Sequence, residues 1–432
     1  MPPLDTGHPA LSPSRAGYAP RFPGAAAQAV APDTGDAADY ACFAIWHGAR
    51  ARQDEIIADL GREFELIGDF EITWSQARYH RNIARLYERP GGSGPFTGWD
   101  AKIGPPPFRF LILRDRAPVY GWKRSVSGMI EMSNDRVTTA KYRCRALFDR
   151  PFEVHASNHL TEFLIQSVLV LGAERLQRVL AASGCIRETL HKDLEGAEGW
   201  RDWPHLFSVL NIGTRYLILR GWQGLPERPT ADADIDLLCD NFQRLASAAN
   251  VHQSGNRPWK GVMTVGESRI AVDIRFVGDG YYPALWQQDM LARRQLQDGF
   301  HVPAPDDLFF SLLYHCKVRA ASVQPDQRAE LARLAQELRF DWFEPAALDD
   351  DARCAGMLRG YMLARGLHYE RPLDRGVQAN RAVIRALPHS PLEPRGHRPG
   401  PRPLLRKLAR AIRDPAAAAA YLRRRLAIAP GR

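Results

Sequence analysis

Residues 215–222, RYLILRGW, residues 231–240, ADADIDLLCD, and residues 268–276, SRIAVDIRF, read as three short apolar strands. Side chains alternate along a strand, so Asp234 and Asp236 of the Asp-x-Asp lie on one face. Asp273 sits inside an apolar strand whose neighbours Val272 and Ile274 point the other way, which lets it join them. Three converging carboxylates require a cation. Hard oxygen ligands that leave coordination positions open suit Mg2+ or Mn2+, and with it phosphoryl or nucleotidyl transfer.

Working outward, HLFSVLNI reads as a helix before the first of these strands and DNFQRLASAAN as one after the second. VMTVG pairs with SRIAVDIRF across a turn at Gly266 and Glu267. PDDLFFSLLYHCKVRA is a helix expected to be capped at Asp306, and His315 and Lys317 on it would reach a phosphate. Asp232 and Asp240 read as solvated flanks, and Tyr281 and Tyr282 of the DGYY element as packing residues, or as a ring offered to a nucleotide or sugar. Upstream, CFAIW, FEITW and FRFLIL alternate with QDEIIADLGREF and SQARYHRNIARLY, a βαβαβ pattern. A helix is expected near Lys123 to Gly128, and another from about Asn158 to Leu171. The fold class is therefore α/β (α+β): two mixed-sheet domains with a C-terminal helical appendage.

Gly221-Trp222, the eleven-residue gap, Asp234-x-Asp236 and a later acid together resemble the nucleotidyltransferase fold of the DNA polymerase beta superfamily, over residues 205 to 320. The resemblance implies that Asp234 and Asp236 bind the metals and that Asp273 completes the site or serves as base toward an attacking hydroxyl. It also implies that Gly221 lets backbone amides approach a triphosphate. Trp222 departs from the pattern, which has a small residue there, and an indole at that place would narrow the way in for a triphosphate.

In the first half, VHASNHLTEF places His155 where a strand enters an apolar helix, beside exposed helix N–H groups that favour phosphate. Tyr87, Arg124 four residues before Gly128, and the basic set Lys141, Arg143 and Arg145 precede it. This order resembles nucleoside diphosphate kinase over residues 40 to 172. The resemblance implies that Tyr87 stacks on a base, Arg124 and Arg143 hold phosphates, His155 accepts the phosphate and Ser157 sits at the helix cap. His47-Gly48-Ala49-Arg50 replaces the expected lysine segment and Phe152 an expected asparagine, so the pattern is degenerate. A simpler reading has His155 and Asn158 capping a helix, with Arg143 and Arg145 on a solvated strand face.

The domain pattern is thus 1–38 disordered, 39–185 kinase-like, 186–320 nucleotidyltransferase-like, 321–385 helical appendage, 386–403 Pro-rich linker and 404–432 basic amphipathic tail. The six cysteines show no CxxC spacing and read as free thiols. Of the 432 residues, 45% are apolar and 25% charged, which excludes a wholly disordered or fibrous chain. Runs such as Leu164 to Leu171 are too short to span a bilayer, and no secretory leader is visible, so a cytoplasmic location is expected. The net charge of +9 is concentrated at the end: residues 395–432 hold ten Arg and one Lys against the single acid Asp414. Such a tail suits an anionic membrane surface at the inner face, or RNA, or solvent alone. Most tryptophans, Trp46, Trp74, Trp99, Trp122 and Trp222 among them, read as core or interface residues. The expected function is metal-dependent transfer from a nucleotide donor to a hydroxyl acceptor, as in bacterial surface-polysaccharide synthesis. Modification of a protein or RNA end, and a catalytically silent nucleotide-binding module, are the alternatives.

Overall fold

The computed structural model describes residues 38–89, 103–124, 130–150, 152–226, 234–254, 257–320 and 322–390. Expectations for the N-terminal segment, Trp99, most of the Pro-rich linker and the basic tail lie outside these residues. Among the described residues the chain is a mixed α/β molecule with twelve α-helices, two five-stranded mixed sheets and two small hairpins. No helix among them is long and apolar enough to cross a membrane.

The first half runs β1 (Asp39–Ile45), α1 (Gln53–Leu60), β2 (Glu65–Thr73), α2 (Tyr79–Leu86), β3 (Phe108–Asp115), the hairpin β4 (Tyr120–Arg124) and β5 (Ile130–Asn134), α3 (Asp135–Arg145), β6 (Val154–Ala156), α4 (Leu160–Leu171), α5 (Ala173–Ala181) and β7 (Ile186–His191). Its sheet has the order β6-β1-β3-β2-β7. The first four strands are antiparallel neighbours and β7 joins β2 in parallel. Both faces are covered, which is why β1 and β3 are apolar at nearly every position. Cys42, Ala44, Phe108, Phe110 and Ile112 face one core, while Ala41, Phe43, Ile45, Leu111 and Leu113 face a second one formed with α1 and α3.

The second half runs α6 (Trp203–Gly213), β8 (Tyr216–Arg220), β9 (Ile235–Cys239), α7 (Phe242–Ala248), β10 (His252–Ser254), β11 (Arg257–Val265) and β12 (Ser268–Phe276). After these come α8 (Ala284–Arg293), the hairpin β13 (Gln295–Gln297) and β14 (Phe300–Val302), α9 (Pro305–Tyr314), α10 (Pro325–Glu337), α11 (Asp351–Ala364) and α12 (Arg381–Ala386). The second sheet has the order β10-β11-β12-β9-β8, with β9 and β12 parallel and the other neighbours antiparallel. Ile218, Leu237 and Val272 face the core shared with the first sheet, and Leu217, Leu219 and Leu238 face the helical appendage.

The result is layered: α1 and α3, the first sheet, a middle layer containing α4, α6 and α7, the second sheet, then the appendage. Nine consecutive residues of α4, Phe163 to Leu171, are buried. A helix that is closed off all round belongs between two layers, and each of its large side chains contributes about 1.5–3 kcal/mol by leaving water.

Several expectations are corrected. Lys123 and Arg124 lie on β4 and not on a helix, because this segment pairs with β5. Ile186–His191 pairs with β2, so the first sheet extends past residue 185. Arg143 and Arg145 are on α3, with Lys141, and not on a strand. The N-cap of α9 is Ala304, with Pro305 opening the first turn; Asp306 lies within that turn, and a π-helical turn (His315–Arg319) follows the helix. Trp46 and Trp74 are buried, whereas Trp122 on the hairpin is 71% exposed. All six cysteines are free.

Candidate functional site

Strand register builds the site. Lys260 on β11 pairs with Asp273 on β12, Asp273 with Asp236 on β9, and Asp236 with Arg220 on β8. Four adjacent strands therefore present a row in the order cation, carboxylate, carboxylate, cation. In-register neighbours share a face, and neighbouring strands lie about 4.8 Å apart, so the two carboxylates are side by side. The row lies on the face of Leu238, toward the appendage.

Each carboxylate already has basic partners. Arg220 donates from Nε at 2.7 Å and pairs from Nη2 at 2.5 Å, both to Oδ2 of Asp236. Arg275, two residues beyond Asp273 and hence on the same face, donates to Oδ2 of Asp273 at 2.8 Å, and Lys260 Nζ is 3.1 Å from the same oxygen. Asp273 is only 6% exposed, and its Oδ1 is buried without a hydrogen-bond partner. A buried acceptor left open costs about 1–3 kcal/mol. Such an oxygen fits a metal ligand.

The appendage side supplies aromatics. Tyr281 stacks on the Arg275 guanidinium at 4.2 Å, and its hydroxyl lies 2.6 Å from His315 Nδ1. Arg220 Nη1 donates to the Tyr282 hydroxyl at 3.1 Å, and Arg275 is 3.8 Å from Asp374. Burial, reinforced by the Arg220 charge, pushes His315 down to about 3, so it is neutral near pH 7. Tyr281 and Tyr282 are buried as expected of packing residues, yet both touch the site's arginines.

The other expected residues divide. Asp234 is exposed and precedes β9. Among the described residues no three His, Cys, Asp or Glu side chains are grouped to hold a metal, so the expected three-carboxylate cluster is reduced to the Asp236–Asp273 pair. Gly221 has φ +78°, and a Cβ there would lie 2.3 Å from the Asp234 carbonyl. Its freedom serves the close passage of the chain that leads into β9. Trp222 packs against both cores and against Phe300, with ring centroids 6.3 Å apart. Lys317 does not reach the site: it is buried, donates to the Leu348 carbonyl at 2.9 Å and pairs with Asp351 at 2.5 Å. Its role is to tie the π-helical turn to the appendage.

His155 and Tyr87 do meet, their rings edge to face at 4.9 Å. His155 is buried, with Nε2 2.9 Å from Gln166 Oε1, and burial together with Lys141 pushes it down to about 3. The free helix N-terminus expected beside it is filled, because His159 Nδ1 accepts from the Glu162 amide. Arg143 pairs with Asp59 and Glu63 at 2.7 and 2.8 Å, on the side of the first sheet that α1 and α3 cover. Period two puts His155 on the opposite face, paired with Ala44. The phosphate-accepting constellation is therefore not assembled. Arg124 lies on β4, and its side chain is outside the described residues. Ser157 is not a helix cap: its hydroxyl accepts from the Cys42 amide at 3.1 Å.

Arg220, Lys260 and Arg275 were not singled out in the sequence as site residues, nor was the role of His315 beside a tyrosine, whereas Tyr281 was, within the DGYY element. For Arg275 the signal was present, two residues after Asp273. For Lys260 it was the two-residue turn, which sets the register of β11 on β12.

No protein-family profile, no curated protein and no solved structure matches this chain.

Proposed function

We propose that the chain is a divalent-metal-dependent transferase that moves a nucleotidyl or substituted-phosphate group from a nucleotide donor to a hydroxyl acceptor. The observation that carries this reading is the in-register pair Asp236–Asp273 on parallel strands, together with an Asp273 Oδ1 that is buried without a hydrogen-bond partner. Asp236 and Asp273 would hold Mg2+ or Mn2+, while Asp234, exposed just before β9, stands outside the pair. Bound there, the cation would neutralise charge on the transferring phosphorus group. Arg275, held by Asp374 and by the Tyr281 ring, fixes Asp273 for orienting the acceptor hydroxyl. A nucleotidyltransferase-like second half is supported by the strand, Gly221, Asp-x-Asp and third-acid order falling on β8, β9 and β12. The antiparallel order β6-β1-β3-β2 is a split βαβ arrangement and supports a kinase-like ancestry for the first half, while the burial of His155 supports a scaffold role there. A surface-polysaccharide acceptor belongs to the same proposal.

The test is isothermal titration of each nucleoside triphosphate and a CDP-linked alditol, with and without Mg2+. The titrations use wild type and Asp234→Asn/Asp236→Asn. Metal-dependent binding that the double variant loses is expected. A second reading, a silent nucleotide-binding module, is favoured by one observation: Arg220, Lys260 and Arg275 already neutralise both carboxylates. It predicts binding indifferent to Mg2+ and to the double substitution.

A further inference from the structure

The row Lys260–Asp273–Asp236–Arg220 places two carboxylates in the middle and one cation at each end, on β11 and β8. The third cation differs. Arg275 is buried, stacked on Tyr281 and near Asp374, whereas the Lys260 side chain is 36% exposed and Arg220 extends from the last residue of its strand. Oδ2 of Asp236 is gripped by two Arg220 nitrogens, while Oδ1 of Asp273 has no partner. A divalent cation bridging these two acids competes with Arg220 for the Asp236 carboxylate. Its charge would then repel both end cations, which sit one strand away.

We propose that Arg220 and Lys260 are displaceable counter-ions, which hold Asp236 and Asp273 in the free protein and turn to the phosphates of an incoming nucleotide once a divalent cation takes the carboxylates. This rests on the metal-dependent reading given above. Arg220, Lys260 and Arg275 balance Asp236, Asp273 and Asp374, so the free cluster is neutral. A divalent cation alone leaves it with excess positive charge and two stranded basic side chains. A polyphosphate alone meets cations still bound to carboxylates. Together they pair every charge of the cluster, so each ligand strengthens the binding of the other, and by linkage the two effects are equal. The Tyr282 hydroxyl, 3.1 Å from Arg220 Nη1, stays as a pivot when Asp236 is released.

The experiment measures Mn2+ binding to the full chain by the electron paramagnetic resonance of free Mn2+, with and without the triphosphate that binds best. Wild type, Arg220→Gln, Lys260→Met, the double variant and Asp236→Asn are compared, with circular dichroism as the check on folding. Wild type is expected to bind Mn2+ about tenfold more tightly when nucleotide is present. In Arg220→Gln/Lys260→Met, Mn2+ alone should bind about tenfold more tightly than to wild type, with the nucleotide enhancement gone. Lys260→Met, the more exposed position, should shift the same way by less, and it serves if Arg220→Gln does not fold. Mn2+ binding that Asp236→Asn abolishes but that the basic variants leave unchanged or weaken overturns the counter-ion proposal alone. Absence of Mn2+ binding in every protein, with nucleotide present, overturns the metal-dependent reading and this proposal with it.

Discussion

At Gly221 the backbone has φ +78° and passes so close to the Asp234 carbonyl that a Cβ would sit 2.3 Å from it. Gly221→Ala should therefore cost about 1–3 kcal/mol of stability, measurable as a lower urea midpoint, and weaken nucleotide binding by displacing the chain entering β9. His155 permits a prediction with a definite sign. Its folded value near 3 lies below the ordinary histidine value of 6.5, so the unfolded chain binds the extra proton between them. The His155 contribution to stability is full above about pH 6.5 and is lost as pH falls toward 3. The stability of wild type relative to His155→Gln should fall between pH 7 and pH 4.5. An unchanged difference in urea midpoints at the two values would contradict the buried neutral imidazole. Residue-scale reading of the sequence succeeded where period two alone decides, as for Asp236 and Asp273. It missed the commitment of Lys317 to Asp351, because that partner lies in the appendage, far along the chain.

The crossing of α4 and α6 is the element on which the middle layer depends. A Cβ on Gly213, the last residue of α6, would lie 2.5 Å from Ile165 Cδ1 and 3.1 Å from its Cα, so the two helices approach at backbone distance. Gly213→Val should push them apart and cost about 1–3 kcal/mol or more, read as a fall in thermal midpoint. If the midpoint is unchanged, the close crossing is not present in solution. Both helices were legible, from the apolar runs Phe163 to Leu171 and Leu206 to Ile212. Their mutual approach was not, since helix periodicity names a buried face and not its neighbour. The same limit explains β4: its residues pair with β5, a contact that local pattern does not announce.

Across the whole molecule the two sheets share one continuous core, which runs from Cys42 in β1 to Val302 in β14. Arg85 reinforces the junction: fully buried on α2, it donates to the carbonyls of Ser247, Ala248 and Glu195 at 2.8, 3.0 and 2.7 Å. Both halves should unfold in a single calorimetric transition. Arg85→Met should remove about 3 kcal/mol, because three buried acceptors lose a charged donor. Two resolved transitions in wild type would mean that the halves are independent, as the boundary at residue 185 expects.

The identity of most strands and helices and the place of the two central carboxylates followed from sequence, because alternation and helical periodicity are local properties of the chain; β4 and α3 did not. Part of the charge row was equally accessible, since the two-residue turn after Val265 sets Lys260 opposite Asp273. Arg220 was not, because its register on Asp236 depends on which strand borders β9 and on a shift in pairing after Ile218. The third carboxylate, the enclosure of His155 and the union of two apparent domains in one core were likewise decided by tertiary structure. Each depends on which distant segments share a layer. That choice is made by the summed burial of many apolar faces and is written in no single stretch of sequence.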